Sequence, residues 1–283
     1  VSDRLQLLAQ SLMPKQAMTA FGGLVASAEM GAVTTAIIRW FVGHYGVDMA
    51  EAQNPDIASY PSFNAFFTRA LKPGLRPLAQ ADLVCPVDGA VSQFGIIEQG
   101  QIFQAKGHHY SATALLGGDA ARAAPFEHGS FATIYLSPRD YHRIHMPCDG
   151  RLRRMIHVPG ALYSVNPATA RTVPELFARN ERVVCLFDGP LGPFALVLVG
   201  ATIVGSMETV WHGVVNPPRP GRVREWSYEQ QPVALKQGDE MGRFRLGSTV
   251  VLLFPGRELA FNSAWTAGGP VRLGQAMAGR RTG

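Results

Sequence analysis

Only three cysteines occur in 283 residues, Cys85, Cys148 and Cys185, and no two of them form a C-x-x-C pair. That excludes a disulfide scaffold and a cysteine-rich zinc site, and it favours a reducing compartment. Charge is sparse as well. Charged residues make 17% of the chain against 47% apolar residues, a balance that excludes a disordered polymer. The 26 Lys and Arg exceed the 21 Asp and Glu to give a net charge of +5, which suits an anionic partner without choosing between nucleic acid and a membrane surface. No uncharged run has the composition of a spanning helix. The longest, Gly189 to Met207, carries Pro190 and Pro193 and reads as strands and turns. The residues around Asp3 and Arg4 lack the basic, apolar and small-residue succession of a secretory signal.

The apolar residues that are present change their period along the chain. Leu5, Leu8 and Leu12, then Leu24 and Ala28, then Ile37, Ile38, Phe41 and Val42 fall at helical spacing, with Pro14 between the first two groups. Phe63, Phe66 and Phe67 suit one more short helix, followed by a basic cluster of Arg69, Lys72 and Arg76. From residue 83 onward, short β-branched and aromatic runs alternate with Gly and Pro: 90–97, 131–136, 182–187, 194–204 and 250–254. The tail after Trp265 is glycine-rich and is expected to fray. The pattern predicts an α+β protein with a helical region over residues 1–70 and a β-rich body over 71–283. The helices either pack on that body or form a cap that dips into a membrane interface.

Three constellations could carry chemistry. The segment from Ser137 to Cys148 holds His142 and His145 among Arg139, Asp140 and Arg143, so it reads as an acid/base site, a surface loop with incidental histidines, or a metal site. No third ligand stands at a motif spacing. Asp88-Gly89 reads as a turn before a strand, or as a carboxylate that orients a histidine. Gly247-Ser248-Thr249 reads as a sharp turn into a buried strand. Ser248 is also suited to attack the unhindered carbonyl of Gly247 once a base takes its proton. It is not a nucleophile elbow, because G-x-S-x-G is absent.

Taken together the motifs resemble a known family. They are Phe63-x-x-Phe66-Phe67-x-Arg69-x-Leu71-Lys72-Pro73-Gly74-x-Arg76-Pro77, Pro86-Val-Asp88-Gly89 and Phe103-Gln-Ala-Lys106-Gly107-His108. Tyr135 to Pro147 with both histidines, Asn180-Glu181-Arg-Val-Val, Val199 to Ser206 and Leu246-Gly247-Ser248-Thr249 complete the set. In this order they resemble the bacterial, pyruvoyl-dependent phosphatidylserine decarboxylases over nearly the whole chain.

The resemblance implies a proenzyme that cuts its own Gly247–Ser248 bond into fragments 1–247 and 248–283, which stay associated. By that analogy His145, oriented by Asp88, takes the Ser248 proton. The serine oxygen then attacks Gly247, and elimination followed by hydrolysis leaves a pyruvoyl group at 248 as the covalent cofactor. That group holds phosphatidylserine as a Schiff base, and His142 protonates the carbon after carbon dioxide leaves, giving phosphatidylethanolamine. No metal is implied. The expected setting is peripheral, on the cytoplasmic face of the cell membrane, with the helical region and the basic cluster as contacts for anionic lipid, and the expected assembly is a homodimer. Two rival readings are a serine hydrolase that acts on external substrates and a non-enzymatic lipid binder. Nucleic-acid binding ranks last, since the basic residues belong to no recognised module.

Overall fold

A computed structural model describes residues 22–201, 206–216, 221–245 and 248–280. The body is built on a nine-stranded antiparallel sheet. Its strands run in the order Arg224–Ser227, Gly150–Val158, Arg182–Gly189, Gly192–Val199, Ser248–Phe254, Ser130–Leu136, Gly89–Ile96 and Pro270–Val271, with Val233–Leu235 also paired to Gly150–Val158. The strand that begins at Ser248 lies in the middle. It pairs from Ser248–Leu136 to Phe254–Ser130 on one side and from Thr249–Val199 to Leu253–Ala195 on the other. Its seven residues STVVLLF are all buried, because both faces of the sheet are covered. Val250 and Leu252 face one apolar cluster and Val251 and Leu253 the other, as the two-residue period of a strand requires. A continuous apolar run, not an alternating one, is the sequence mark of such a strand.

A second, smaller sheet has four strands. Its order is Gly213–Val214, Met207–Thr209, Glu240–Phe244 and Arg143–His145. Leu83–Val84, Ala276–Arg280 and Leu259–Phe261 form a third sheet. The fraying expected after Trp265 is therefore corrected as far as Arg280. The Ala276–Arg280 strand pairs on both edges, and Met277 within it is fully buried.

The N-terminal helices have a core of their own. Residues 22–27 and Ala32–Tyr45 are helical, the latter ending on Gly46 in the left-handed region, whose N–H bonds to the Val42 carbonyl. Phe63–Phe67 forms the short helix that its phenylalanines predict, capped by the Ser62 hydroxyl on the Ala65 amide. Ile38 and Phe41 pack on Phe63, Phe66 and Phe67 in a cluster distinct from the two that flank the large sheet. Several apolar side chains of these helices stay exposed: Leu24 is 72% exposed, Val33 54% and Trp40 62%. The expected helix around Leu5, Leu8 and Leu12 and the end of the expected run 194–204 lie outside the described residues. No helix among the described residues is long and apolar enough to cross a membrane.

Candidate active site

Ser248 is wholly buried and its hydroxyl has no hydrogen-bond partner. A buried hydroxyl without a partner costs about 1–3 kcal/mol, which fold stability alone would remove by substitution. Beside it lies a cavity of about 460 Å³. Val25, Ile37, Trp40, Phe41, Phe63 and Phe67 line it from the helices, and Tyr135, Leu136 and Pro138 line it from the sheet. The volume and apolar lining are those of a ligand pocket.

The histidine segment is not helical. Ser137 to Asp140 makes a turn closed by the Asp140 amide on the Ser137 carbonyl at 2.9 Å and the Ser137 amide on the Asp140 carboxylate at 2.7 Å. The chain then enters the short strand Arg143–His145. Two connections bring this segment to Ser248. Leu136, just before the turn, pairs with Ser248, and Phe244, four residues before Ser248, donates its N–H to the His142 carbonyl at 3.0 Å.

The two histidines share a tautomer and differ in surroundings. His142 Nδ1 lies 2.8 Å from the Asp140 carbonyl and His145 Nδ1 lies 2.8 Å from the Gly238 carbonyl. A carbonyl only accepts, so each Nδ1 carries the proton and each Nε2 presents a lone pair. His145 Nε2 accepts from the Tyr141 hydroxyl at 3.0 Å. His142 Nε2 has no partner, and its fully buried ring lies 4.1 Å from that of Phe67. Burial pushes His142 down to about 3, and the nearby Arg69 charge acts in the same direction. His145 is also lowered by burial, but Glu240 and Asp88 oppose the shift. A proton is thus better tolerated on His145 than on His142.

Asp88 stands where the motif predicts, at the start of a strand beside Tyr135. Gly89 is required there, since a Cβ would run into the Tyr135 carbonyl oxygen. The carboxylate, however, does not hydrogen-bond to His145. Arg76 grips it through Nε at 3.1 and 3.2 Å and Nη2 at 2.6 Å, and the Leu273 amide donates to it at 2.9 Å. The guanidinium fork makes several charge-assisted bonds where a neutral imidazole offers one, so Arg76 prevails. Arg76 also reaches Glu51 at 2.6 Å.

This corrects the reading of Arg69, Lys72 and Arg76 as one lipid-facing cluster. Lys72 is exposed, but the Arg76 side chain is only 6% exposed and Arg69 is buried against the Phe66 ring. Spacing could not show this, because the carboxylates that draw Arg76 inward lie 25 residues before it and 12 after it. Tyr141 and the Gly238 carbonyl were likewise missed: a tyrosine four residues before a histidine forms no motif, and Gly238 lies 93 residues from His145 in the chain. No group of three or more His, Cys, Asp or Glu suited to a metal occurs among the described residues.

The residue pattern agrees with the family found by comparison with known proteins. A family model described as phosphatidylserine decarboxylase matches residues 63–279, and a second, described as PSD, matches residues 5–46. The chain belongs to the phosphatidylserine decarboxylase family. Curated relatives named phosphatidylserine decarboxylase proenzyme match nearly its whole length. That from Acidovorax ebreus is 73% identical over 99% of each chain, and that from Variovorax paradoxus 73% identical over 98% of each. The Herminiimonas arsenicoxydans relative is 68% identical over 98% of this chain and 95% of its own. The first family model thus covers Asp88, His142, His145 and Ser248, and the cavity lies where it meets the helices.

Proposed function

We propose that this chain decarboxylates phosphatidylserine to phosphatidylethanolamine, using a pyruvoyl group made from Ser248 by cleavage of the Gly247–Ser248 bond. The observation that carries the proposal is the unpartnered, fully buried Ser248 hydroxyl at the side of an apolar cavity. In a member of this family it is a reacting group and not a structural one.

In maturation, the Ser248 hydroxyl gives its proton to His145 and its oxygen attacks the Gly247 carbonyl. The peptide C–N bond breaks and an ester replaces it. Removal of the Ser248 Cα proton expels the Gly247 carboxylate, and hydrolysis of the resulting enamine releases ammonia. His145 suits the base role once the Tyr141 hydroxyl yields its Nε2 lone pair to Ser248, because Asp88 and Glu240 favour the imidazolium. Asp88, paired with Arg76, acts here through its charge and not through a direct bond. The donor set fits the cofactor, since Ser248 is its only source. Once present, the pyruvoyl carbonyl supplies the electron sink for loss of carbon dioxide. His142 serves the later proton transfer: its Nε2 is bare at rest, takes a proton from the ammonium group of the bound substrate, and gives it to carbon readily because burial opposes the imidazolium.

The fold supports retention of both fragments. Residues 248–280 supply a central strand of the large sheet and two strands of the three-stranded sheet. They also supply the Leu273 amide that holds Asp88. The exposed Leu24, Val33 and Trp40 stand on the helices that wall the cavity, which supports residues 1–70 as a membrane-interface region over the body 71–283. We place the enzyme on the cytoplasmic face of the cell membrane, as a homodimer.

The test is the mass spectrum of denatured wild-type and Ser248→Ala protein. Wild type is expected as two fragments divided at 247/248, the smaller beginning with a carbonyl group. Ser248→Ala is expected as one chain of 30.6 kDa that evolves no carbon dioxide from phosphatidylserine vesicles. Cleavage in Ser248→Ala, or activity in an uncut wild type, overturns the proposal.

A further inference from the structure

Arg69 is the buried cation that the chemistry so far leaves unused. It is 5% exposed, and its side chain makes one hydrogen bond among the described residues, from Nη2 to the Arg139 carbonyl at 3.3 Å. Nε and Nη1 are buried with no partner at all. The Phe66 ring covers the guanidinium at 5.2 Å, and no carboxylate lies within ion-pair distance among the described residues. Glu51, Asp140 and Asp88 act on it only through space, as does the Tyr60 hydroxyl. Arg76, seven residues on, shows what a satisfied guanidinium looks like in this fold, with two carboxylates in direct contact. Two free donors on a dry guanidinium are a strong, unmet demand for an anion.

Arg69 is not itself a lining residue of the Ser248 cavity but stands directly behind its wall. Arg69 follows Phe67 by two residues, and Phe67 both lines the cavity and touches His142. The carbonyl that Arg69 holds belongs to the residue after Pro138, another wall residue. Its charge is felt at His142.

We propose that Arg69 binds the phosphodiester of the lipid substrate through Nε and Nη1. The substrate has two anionic groups, and chemistry selects between them. An arginine paired with the carboxylate would stabilise charge that must disperse as carbon dioxide leaves, and so would raise the barrier. The phosphodiester keeps its charge throughout, so pairing with it holds the headgroup at no cost to the chemical step. Planar bidentate donors match phosphate oxygens. This inference rests on the proposed use of the Ser248 cavity.

The experiment uses matured enzyme, wild type, Arg69→Met and Arg69→Lys, with monomeric dihexanoyl phosphatidylserine as substrate. Dihexanoyl phosphatidylethanolamine, which keeps the phosphodiester and lacks the carboxylate, serves as competitive inhibitor. Arg69→Met is expected to raise both KM and Ki by about tenfold to a hundredfold, the loss expected for hydrogen bonds to a charged group, while kcat changes little. Arg69→Lys, with a point charge in place of the fork, should fall between. A rise in KM with unchanged Ki assigns Arg69 to the carboxylate and overturns the proposal. A drop in kcat alone, or no change, also overturns it. If Arg69→Met fails to cleave to completion, the fold is in question and Arg69→Lys decides by the same split. Loss of decarboxylation by wild type itself would refute the function proposed above and not Arg69 in particular.

Discussion

His142 should refuse a proton until the solution is strongly acidic. Its ring is fully buried, its Nε2 faces no donor or acceptor, and burial lowers it from the ordinary 6.5 to about 3. Above pH 6.5 it is neutral in both folded and unfolded chains and contributes nothing to pH dependence. As pH falls below 6.5 the unfolded chain takes up a proton that the folded chain declines, so stability drops until about pH 3. At pH 5 the gap of 1.5 pH units, at about 1.4 kcal/mol each, amounts to about 2 kcal/mol. His145, lowered in the same direction, adds to this. The assay is urea unfolding followed by tryptophan fluorescence at pH 7.5 and pH 5, in the Ser248→Ala background so that one chain unfolds. His142→Asn retains a donor for the Asp140 carbonyl and cannot titrate. It should lose about 2 kcal/mol less than its parent between the two pH values. Equal losses in both proteins, or an imidazole of His142 that titrates near 6.5 by NMR, would refute the account of a dry Nε2.

Two further outcomes follow from the same contacts. Asp88→Asn leaves Arg76, with its side chain 6% exposed, with Glu51 as its one remaining carboxylate partner. It should cost about 2–4 kcal/mol in unfolding free energy and slow fragment formation, read by denaturing gel over time. Normal cleavage kinetics would remove Asp88 from maturation. Trp40→Glu alters a side chain that is 62% exposed, so thermal stability should shift by no more than about 0.5 kcal/mol. Sedimentation with anionic vesicles should nevertheless weaken about tenfold, and unchanged sedimentation would show that this face of the helices does not meet lipid.

Much of the architecture was legible because it is local. Apolar period alone predicted the Ala32–Tyr45 and Phe63–Phe67 helices and the cores of the strands Gly89–Ile96, Ser130–Leu136, Arg182–Gly189 and Ser248–Phe254. A strand with both faces covered needs apolar residues at every position, and Val250 to Phe254 supplies them. The motifs also named the polar residues worth watching, since Asp88, His142, His145 and Ser248 are chemically conspicuous in a chain so poor in charge. Two local expectations failed for want of partners. The Gly-rich tail is a strand because Leu83–Val84 and Leu259–Phe261 flank it. The basic residues after Phe67 are not a surface, because Glu51 and Asp88 turn Arg76 inward and the Phe66 ring covers Arg69.

What the sequence determined by itself was which elements form, which residues are candidates for the chemistry, and the family to which the chain belongs. All of these are written in short-range periods and ordered motifs. What only the tertiary structure decided was who meets whom. Asp88 bonds to Arg76 and Leu273 and not to His145, His142 is dry while His145 sits among carboxylates, and Ser248 opens on a cavity whose other wall comes from helices some 200 residues earlier. Those pairings depend on competition among charges and on the packing of distant elements, and no local pattern of residues encodes the outcome of that competition.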